Sequence, residues 1–217
     1  MTNEALELYE GGICMHEHLL ALVSEIEITG DIQRDVMQLL FLNGLDEVSE
    51  HSLKVANEAR RLAGCFEASE EKAFTAGLLH DIGNVIPLQK RVNLCNDLGI
   101  QMFEEEKLAP SMLHPKLSRA IASEIFLVDK EICSAIECHS TMKADAGKLD
   151  LILFVADKTS WPVAYNRGFI GEMLKGLNIS LEHSALKYLE YILDGHAQVM
   201  HPRAIEAYNY LKGMCKQ

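Results

Sequence analysis

Wound as a helix, the stretch Lys148 to Lys158 has no polar face in its middle, because Leu151, Ile152, Leu153, Phe154, Val155 and Ala156 follow one another without a break. A helix that is apolar all round is normally central and buried, so other elements have to enclose it. The run Leu151 to Ala156 is far too short to span a bilayer, and no membrane partner is expected. The enclosing elements show helical periodicity. His51, Val55, Ala59 and Leu62 share one face, with Gly64 read as the stop. Ala73, Ala76, Gly77 and His80 repeat the i, i+3, i+4, i+7 pattern behind Ser69, an N-cap residue followed by Glu70 and Glu71 at the positive end of the helix dipole. Leu117, Ala120, Ile121 and Ile125 follow Pro115, and Ile132, Ala135, Ile136 and His139 form a further face. The apolar helix ends near Pro162. Two more helices are expected, over Ser180 to Leu193 and over Pro202 to Cys215, with Pro202 at a first helical position. No alternating β-branched run lies between hairpin signals. The expected fold is all-α. A composition shift at Asn43-Gly44 sets residues 1–44, one or two helices packed on the main body, apart from the domain at 45–217.

Charge excludes one large class of function. Twenty Lys and Arg against 32 Asp and Glu leave −12, the wrong sign for gripping a nucleic-acid backbone. If the substrate is a phosphate ester, something local must attract it. Met1 to Glu10 is acidic and has neither the basic region nor the apolar stretch of a signal peptide. The six cysteines form no CxxC pair and read as reduced thiols packed as small hydrophobes. The expected location is the cytoplasm. Met15-His16-Glu17-His18 would splay its two rings on a helix and reads as a solvated pair.

Histidine placement carries the chemistry. Five of the nine (His16, His18, His183, His196 and His201) lie among polar residues or at helix ends. By contrast His51, His80 and His139 sit on apolar helix faces and His114 immediately precedes a helix; Asp81 follows His80, and Asp157 closes the apolar helix. Burying imidazoles and carboxylates is costly unless they are paired or bind a metal. Several from separate helices make a case for a ligand set, and nitrogen plus carboxylate without thiolate suits iron, manganese, cobalt, nickel or zinc. Asp81 has two oxygens with which to bridge two ions.

Glu50-His51-Ser52, the stretch Gly77-Leu78-Leu79-His80-Asp81-Ile82-Gly83, Leu113-His114, Cys138-His139-Ser140-Thr141, Val155-Ala156-Asp157 and the closing segment from His201-Pro202 to Asn209 together resemble the HD superfamily of metal-dependent phosphohydrolases. Within it the chain is similar to the YqeK group of symmetrical diadenosine tetraphosphatases, from about Leu45 to Leu211. The resemblance implies an HD-type helical bundle with an N-terminal helical extension, metal ligands at His51, His80, Asp81 and Asp157, and iron, mono- or dinuclear. It implies that His114, His139 and Ser140 contact the phosphates, with Asn84 to Pro87 and the turn near His196 on the nucleotide side, and that the protein forms a homodimer.

The substrate rim departs from the group. Asn84 stands where a lysine or similar basic residue is usual, Val48 where an arginine commonly precedes the first histidine by three, Met142-Lys143-Ala144-Asp145 in place of a Gly-Arg-Pro-Gly-like segment, and Lys158-Thr159-Ser160-Trp161-Pro162 in place of a tyrosine-containing continuation. Lys143, Lys158 and Arg167 are replacement phosphate contacts on one reading and solvated surface cations on the other. The expected activity is metal-assisted hydrolysis of a nucleotide phosphoanhydride or ester, with Asp81, His114 and His139 in the catalytic set and His114, His139, Ser140, Asn84 and Lys158 on the substrate. The first alternative is a nucleotidase or phosphodiesterase for a mononucleotide or cyclic dinucleotide. The second is a non-catalytic binding or signalling module on the same scaffold.

Overall fold

The computed structural model describes residues 17–24, 26–161 and 168–216. Helices run over Glu17–Leu22 (α1), Ile32–Leu42 (α2), Asp46–Cys65 (α3), Glu70–Leu79 (α4), Arg91–Asp97 (α5), Glu104–Leu108 (α6), His114–Glu124 (α7), Lys130–Cys138 (α8), Lys148–Thr159 (α9), Phe169–Leu177 (α10), Leu181–Tyr191 (α11) and Pro202–Met214 (α12). Short 3-10 turns occupy Ile82–Val85, Leu88–Lys90 and Pro110–Leu113, and a π turn occupies Ile192–His196. Among the described residues there is no strand, and no helix is long and apolar enough to cross a membrane. The fold is all-α, as the periodicity requires.

Helix α9 is the axis of the molecule. Every residue from Leu149 to Lys158 is buried, and α3, α4, α8, α10 and α11 all pack against it. The apolar run therefore meets protein on each side, and Asp157, on the last turn, is carried into the interior with it. Residues of α1, the turn after it and α2 (Leu19, Val23, Val36, Leu39 and Leu40 among them) belong to the same core.

The pairing of α3 with α4 is set by one missing side chain. A Cβ on Gly77 would lie 2.4 Å from Ala56 Cα and 2.7 Å from Ala56 N, so the two backbones touch there. That approach brings His51, on α3, beside His80, at the end of α4, with ring centroids 5.3 Å apart. A second close approach follows at Gly83, where a Cβ would stand 2.5 Å from His114 O. Its N–H donates to Ser118 Oγ at 2.8 Å. The turn after His80-Asp81 is thus fastened to the start of α7.

Side-chain caps define the helix starts. The Ser69 hydroxyl accepts from Lys72 N–H, Asp129 from Glu131 and Ile132, and Ser180 from His183. Two expectations are corrected. Gly64 does not stop α3, which runs on to Cys65. Helix α10 has no counterpart in the periodic reading, because Gly168, Gly171 and Gly176 punctuate it. Gly176 is required there: its Cβ would be 2.8 Å from His183 O of α11.

Candidate metal centre

Six side chains from five places in the chain, His80 and Asp81 being neighbours, meet at the end of α9. His51 Nε2 is 3.0 Å from Asp157 Oδ1. His80 Nε2 lies 3.5 Å from Asp81 Oδ2 and 3.8 Å from Asp157 Oδ1. Asp81 Oδ1 lies 3.1 Å from His114 Nε2 and 3.6 Å from His139 Nε2. Three overlapping sets have their ligand atoms within 4.8 Å of one another: His51, His80 and Asp81; His80, His139 and Asp157; and Asp81, His114 and His139. All six residues named from the sequence as metal-binding or catalytic are brought together.

Backbone carbonyls orient three of the four imidazoles. His80 Nδ1–H donates to Gly77 O at 2.8 Å, His114 Nδ1–H to Ser111 O at 2.7 Å, and His139 Nδ1–H to Ile136 O at 2.8 Å, each three residues back. With Nδ1 protonated, a neutral ring presents its Nε2 lone pair to the centre, which is how metal-ligating histidines are commonly held. The fit to a cation rests on a specific vacancy in bonding: His80 Nε2 is fully buried and has no hydrogen-bond partner, although two carboxylates stand beside it. Such a group costs about 1–3 kcal/mol if left unsatisfied. His114 Nε2 and His139 Nε2 approach to 3.1 Å, which two lone pairs tolerate only with a proton or a cation between them.

The electrostatics agree. Burial pushes the Asp81 carboxyl up, but His80, His114 and His139 outweigh it and hold the group well below the usual carboxylate range. Burial likewise raises Asp157, and Lys158 with the surrounding histidines hold it well below that range. Burial drives the His139 imidazole down to about 4, against the pull of Asp81. The His51 ring, lowered by burial, ends above its ordinary value because Asp157 bonds to it. A pH dependence follows. His139 is neutral in the fold with a depressed pKa, so its contribution to stability is complete above about pH 6.5 and is lost as pH falls toward about 4. The depressed Asp81 and Asp157 lose theirs from the ordinary carboxylate range downward, and His51 works in the opposite sense. Urea midpoints in the presence of chelator should therefore decline from pH 6.5 to pH 4; a flat profile over that window contradicts the assignment.

The rim is built differently from the sequence expectation. Ser140 Oγ is 3.1 Å from His139 Nε2 and 3.4 Å from His114 Nε2, so it belongs to the centre. Asn84 Oδ1 accepts from Arg91 at 2.9 Å. Arg91 is buried and also donates to Ile86 O and to Ser111 O, the carbonyl that orients His114. No periodicity marked Arg91 in the sequence. Lys158 is not a solvated cation: it is 3% exposed, with Nζ 2.5 Å from Asp157 Oδ2. Lys143 pairs with Asp150 and Ser134. Arg167, His16 and the side chain of His18 lie outside the described residues. His201 caps α12 yet is buried, its Nε2 facing Glu106 at 3.4 Å, and Glu106 also pairs with Lys116. His196 stacks on Tyr191 with ring centroids 4.1 Å apart. The described cysteines are all free.

A cavity of about 270 Å³ opens beside Ser140 and Thr141. Trp161, Phe169, Tyr188 and Tyr191 form its aromatic wall. Trp161 Nε1–H donates to Asp157 Oδ1 at 3.2 Å, so one ring is shared by the cavity and the centre.

A helical bundle with His51, His80-Asp81 and Asp157 converging defines a known class, and the HD domain sequence profile matches residues 48–161. The chain belongs to the HD domain family. It is 43% identical over 140 residues to an uncharacterized protein in the pepC 5′ region of Lactococcus lactis subsp. cremoris, covering 64% of this chain and 72% of that one. It is 31% identical over 114 residues to a symmetrical bis(5′-nucleosyl)-tetraphosphatase of Staphylococcus aureus, covering 49% of this chain and 55% of the relative. A probable nicotinate-nucleotide adenylyltransferase/Ap4A hydrolase of Mycoplasma genitalium is 32% identical over 115 residues, 52% of this chain and 32% of the relative. The chain thus spans less than two thirds of those last two proteins. Among solved structures it resembles a predicted HD superfamily hydrolase involved in NAD metabolism from Clostridium acetobutylicum, with TM-score 0.75 and 28% identity over 83% of this chain and 97% of the other.

Proposed function

We propose that this protein is a metal-dependent phosphohydrolase that cleaves diadenosine tetraphosphate symmetrically into two ADP. The observation that carries the reading is the buried His80 Nε2, without a hydrogen-bond partner and facing two carboxylates. His51, His80, Asp81 and Asp157 are the residues that would hold a first divalent ion, with Asp81, His114 and His139 a second set sharing the Asp81 carboxylate. Iron is the ion we assign, on the resemblance to the tetraphosphatase group; the nitrogen and carboxylate donor set without thiolate suits manganese, cobalt, nickel and zinc as well. An ion there supplies Lewis acidity at phosphorus and lowers the pKa of water.

The protein's own groups do the rest. The aromatic wall of the cavity suits stacking of an adenine base. Ser140 Oγ, beside His114 and His139, donates to phosphate oxygen. With one ion held by His51, His80, Asp81 and Asp157, the 3.1 Å gap between His114 Nε2 and His139 Nε2 takes a proton in place of a second cation. That proton passes to the leaving oxygen when the bond between the second and third phosphates breaks, the attacking water returning one to the pair. The departing ADP is thereby neutralised by one charge as water oxygen joins the second phosphorus. The two carboxylates concentrate cation at the site, so a polyphosphate repelled by the −12 chain is attracted locally.

The relatives named for Ap4A hydrolysis support this substrate over others. The test is a turnover panel on one iron-loaded sample: diadenosine tetraphosphate, nucleoside monophosphates and cyclic dinucleotides. ADP as the sole product of the first, with the rest turned over at least about tenfold more slowly, is expected. AMP with ATP as products, or preference for a monophosphate or cyclic dinucleotide, contradicts the substrate assignment.

A further inference from the structure

Lys158 follows Asp157 directly in the sequence and is enclosed with it. Its Nζ lies 2.5 Å from Asp157 Oδ2 and donates to His139 O at 3.2 Å. The rings of Phe154, Trp161 and Tyr188 each have their centroid 5.4 Å from it. An ammonium on a four-carbon stem loses both rotamer freedom and hydration when buried this way, so a partner fixed in advance must hold it. The partner is a carboxylate whose two oxygens have different company. Oδ1 faces His51 Nε2 at 3.0 Å, Trp161 Nε1–H at 3.2 Å and His80 Nε2 at 3.8 Å. Oδ2 faces the ammonium.

We propose that Lys158 is a positioning residue acting through Asp157: it occupies Oδ2, leaves Oδ1 as the single oxygen offered to a cation, and its fixed positive charge weakens the hold on that cation. The inference rests on the metal role assigned above to His51, His80, Asp81 and Asp157. Asp81 and Asp157 with one ammonium paired to Asp157 leave a local charge of about −1 instead of −2, which favours an ion that is bound and can still exchange. Lys158 thus acts on the metal site and has no contact with phosphate.

The test uses the full chain stripped with chelator and titrated with Co²⁺, reading affinity and visible absorption. Lys158→Met removes charge and hydrogen bond together. Co²⁺ should bind about tenfold more tightly, the magnitude expected for deleting a unit charge a few ångströms away in a partly screened site. The absorption per cobalt should fall, because a freed Asp157 chelates through both oxygens and raises the coordination number. Lys158→Gln keeps a donor without the charge, so it should tighten binding while leaving the spectrum unchanged. A folded Lys158→Met protein, judged by circular dichroism, with wild-type affinity and spectrum overturns the proposal. So does weaker binding in both variants. A wild-type chain that takes up no Co²⁺ defeats the underlying metal reading instead. The wild-type protein offers a test independent of any variant: one lysine ammonium signal in nitrogen NMR should exchange slowly with solvent and broaden away on Mn²⁺ addition, and the absence of such a signal overturns the proposal.

Discussion

Asp81→Ala should strip the protein of metal and lower hydrolysis by at least about a thousandfold while leaving the helices intact. The expectation follows from how many partners the carboxylate serves. Oδ2 stands 3.5 Å from His80 Nε2, and Oδ1 stands 3.1 Å from His114 Nε2 and 3.6 Å from His139 Nε2. Without it, three imidazole nitrogens face one another with only Asp157 to attract a cation. Lewis-acid stabilisation is worth several kcal/mol, and each 1.36 kcal/mol is a factor of ten in rate, hence the thousandfold figure. The main chain has little reason to unfold, because the Asp81 side chain makes no capping hydrogen bond to the turn it begins. Metal content by elemental analysis, turnover and circular dichroism on the same preparation decide it. Unchanged hydrolysis in a folded, metal-poor variant sinks the mechanism.

Gly77→Ala should be the most damaging small substitution for stability. The added methyl would be 2.4 Å from Ala56 Cα, against main-chain atoms that no rotamer change can move aside. Helices α3 and α4 have to separate, and both pack on α9. Overpacking of this kind costs about 1–3 kcal/mol, and for a chain of this size each kcal/mol lowers Tm by roughly 2–4 °C. A fall of about 5–10 °C is expected from calorimetry in chelator. Metal binding should weaken too, because the same contact sets the spacing of His51 from His80. An unaltered Tm would mean that the helices part at no cost and that Gly77 does not fix the site.

Much of this architecture is written locally. The unbroken run Leu151 to Ala156 demanded a central helix, and α9 is enclosed along its length. Ser69 announced α4 and caps it. The site was legible because imidazoles on apolar faces are conspicuous against the cost of burying them, and His51, His80 and His139 were found that way. What was hidden is non-local. Three glycines masked α10, whose justification is a close approach to α11 that no periodicity encodes. Lys158 reads in sequence as a phosphate contact or a surface cation; only the fold places its ammonium against Asp157 and among three rings. Arg91 lies in a polar stretch, and nothing there foretells that it holds Ser111 O and Asn84 from behind the centre. His201 was rightly placed at a helix start, but its burial against Glu106 comes from a partner far away in the chain. The carbonyls that aim His80, His114 and His139 are each three residues back, a spacing recognisable only once the helix ends are known.

The measurement closest to the central claim is an anomalous-scattering map from crystals of protein purified without chelator. The account predicts a transition-metal peak within about 2.0–2.3 Å of ligand atoms from His51, His80, Asp81 and Asp157. A map showing those four side chains well ordered with no peak among them, or with the metal bound elsewhere on the chain, would contradict it.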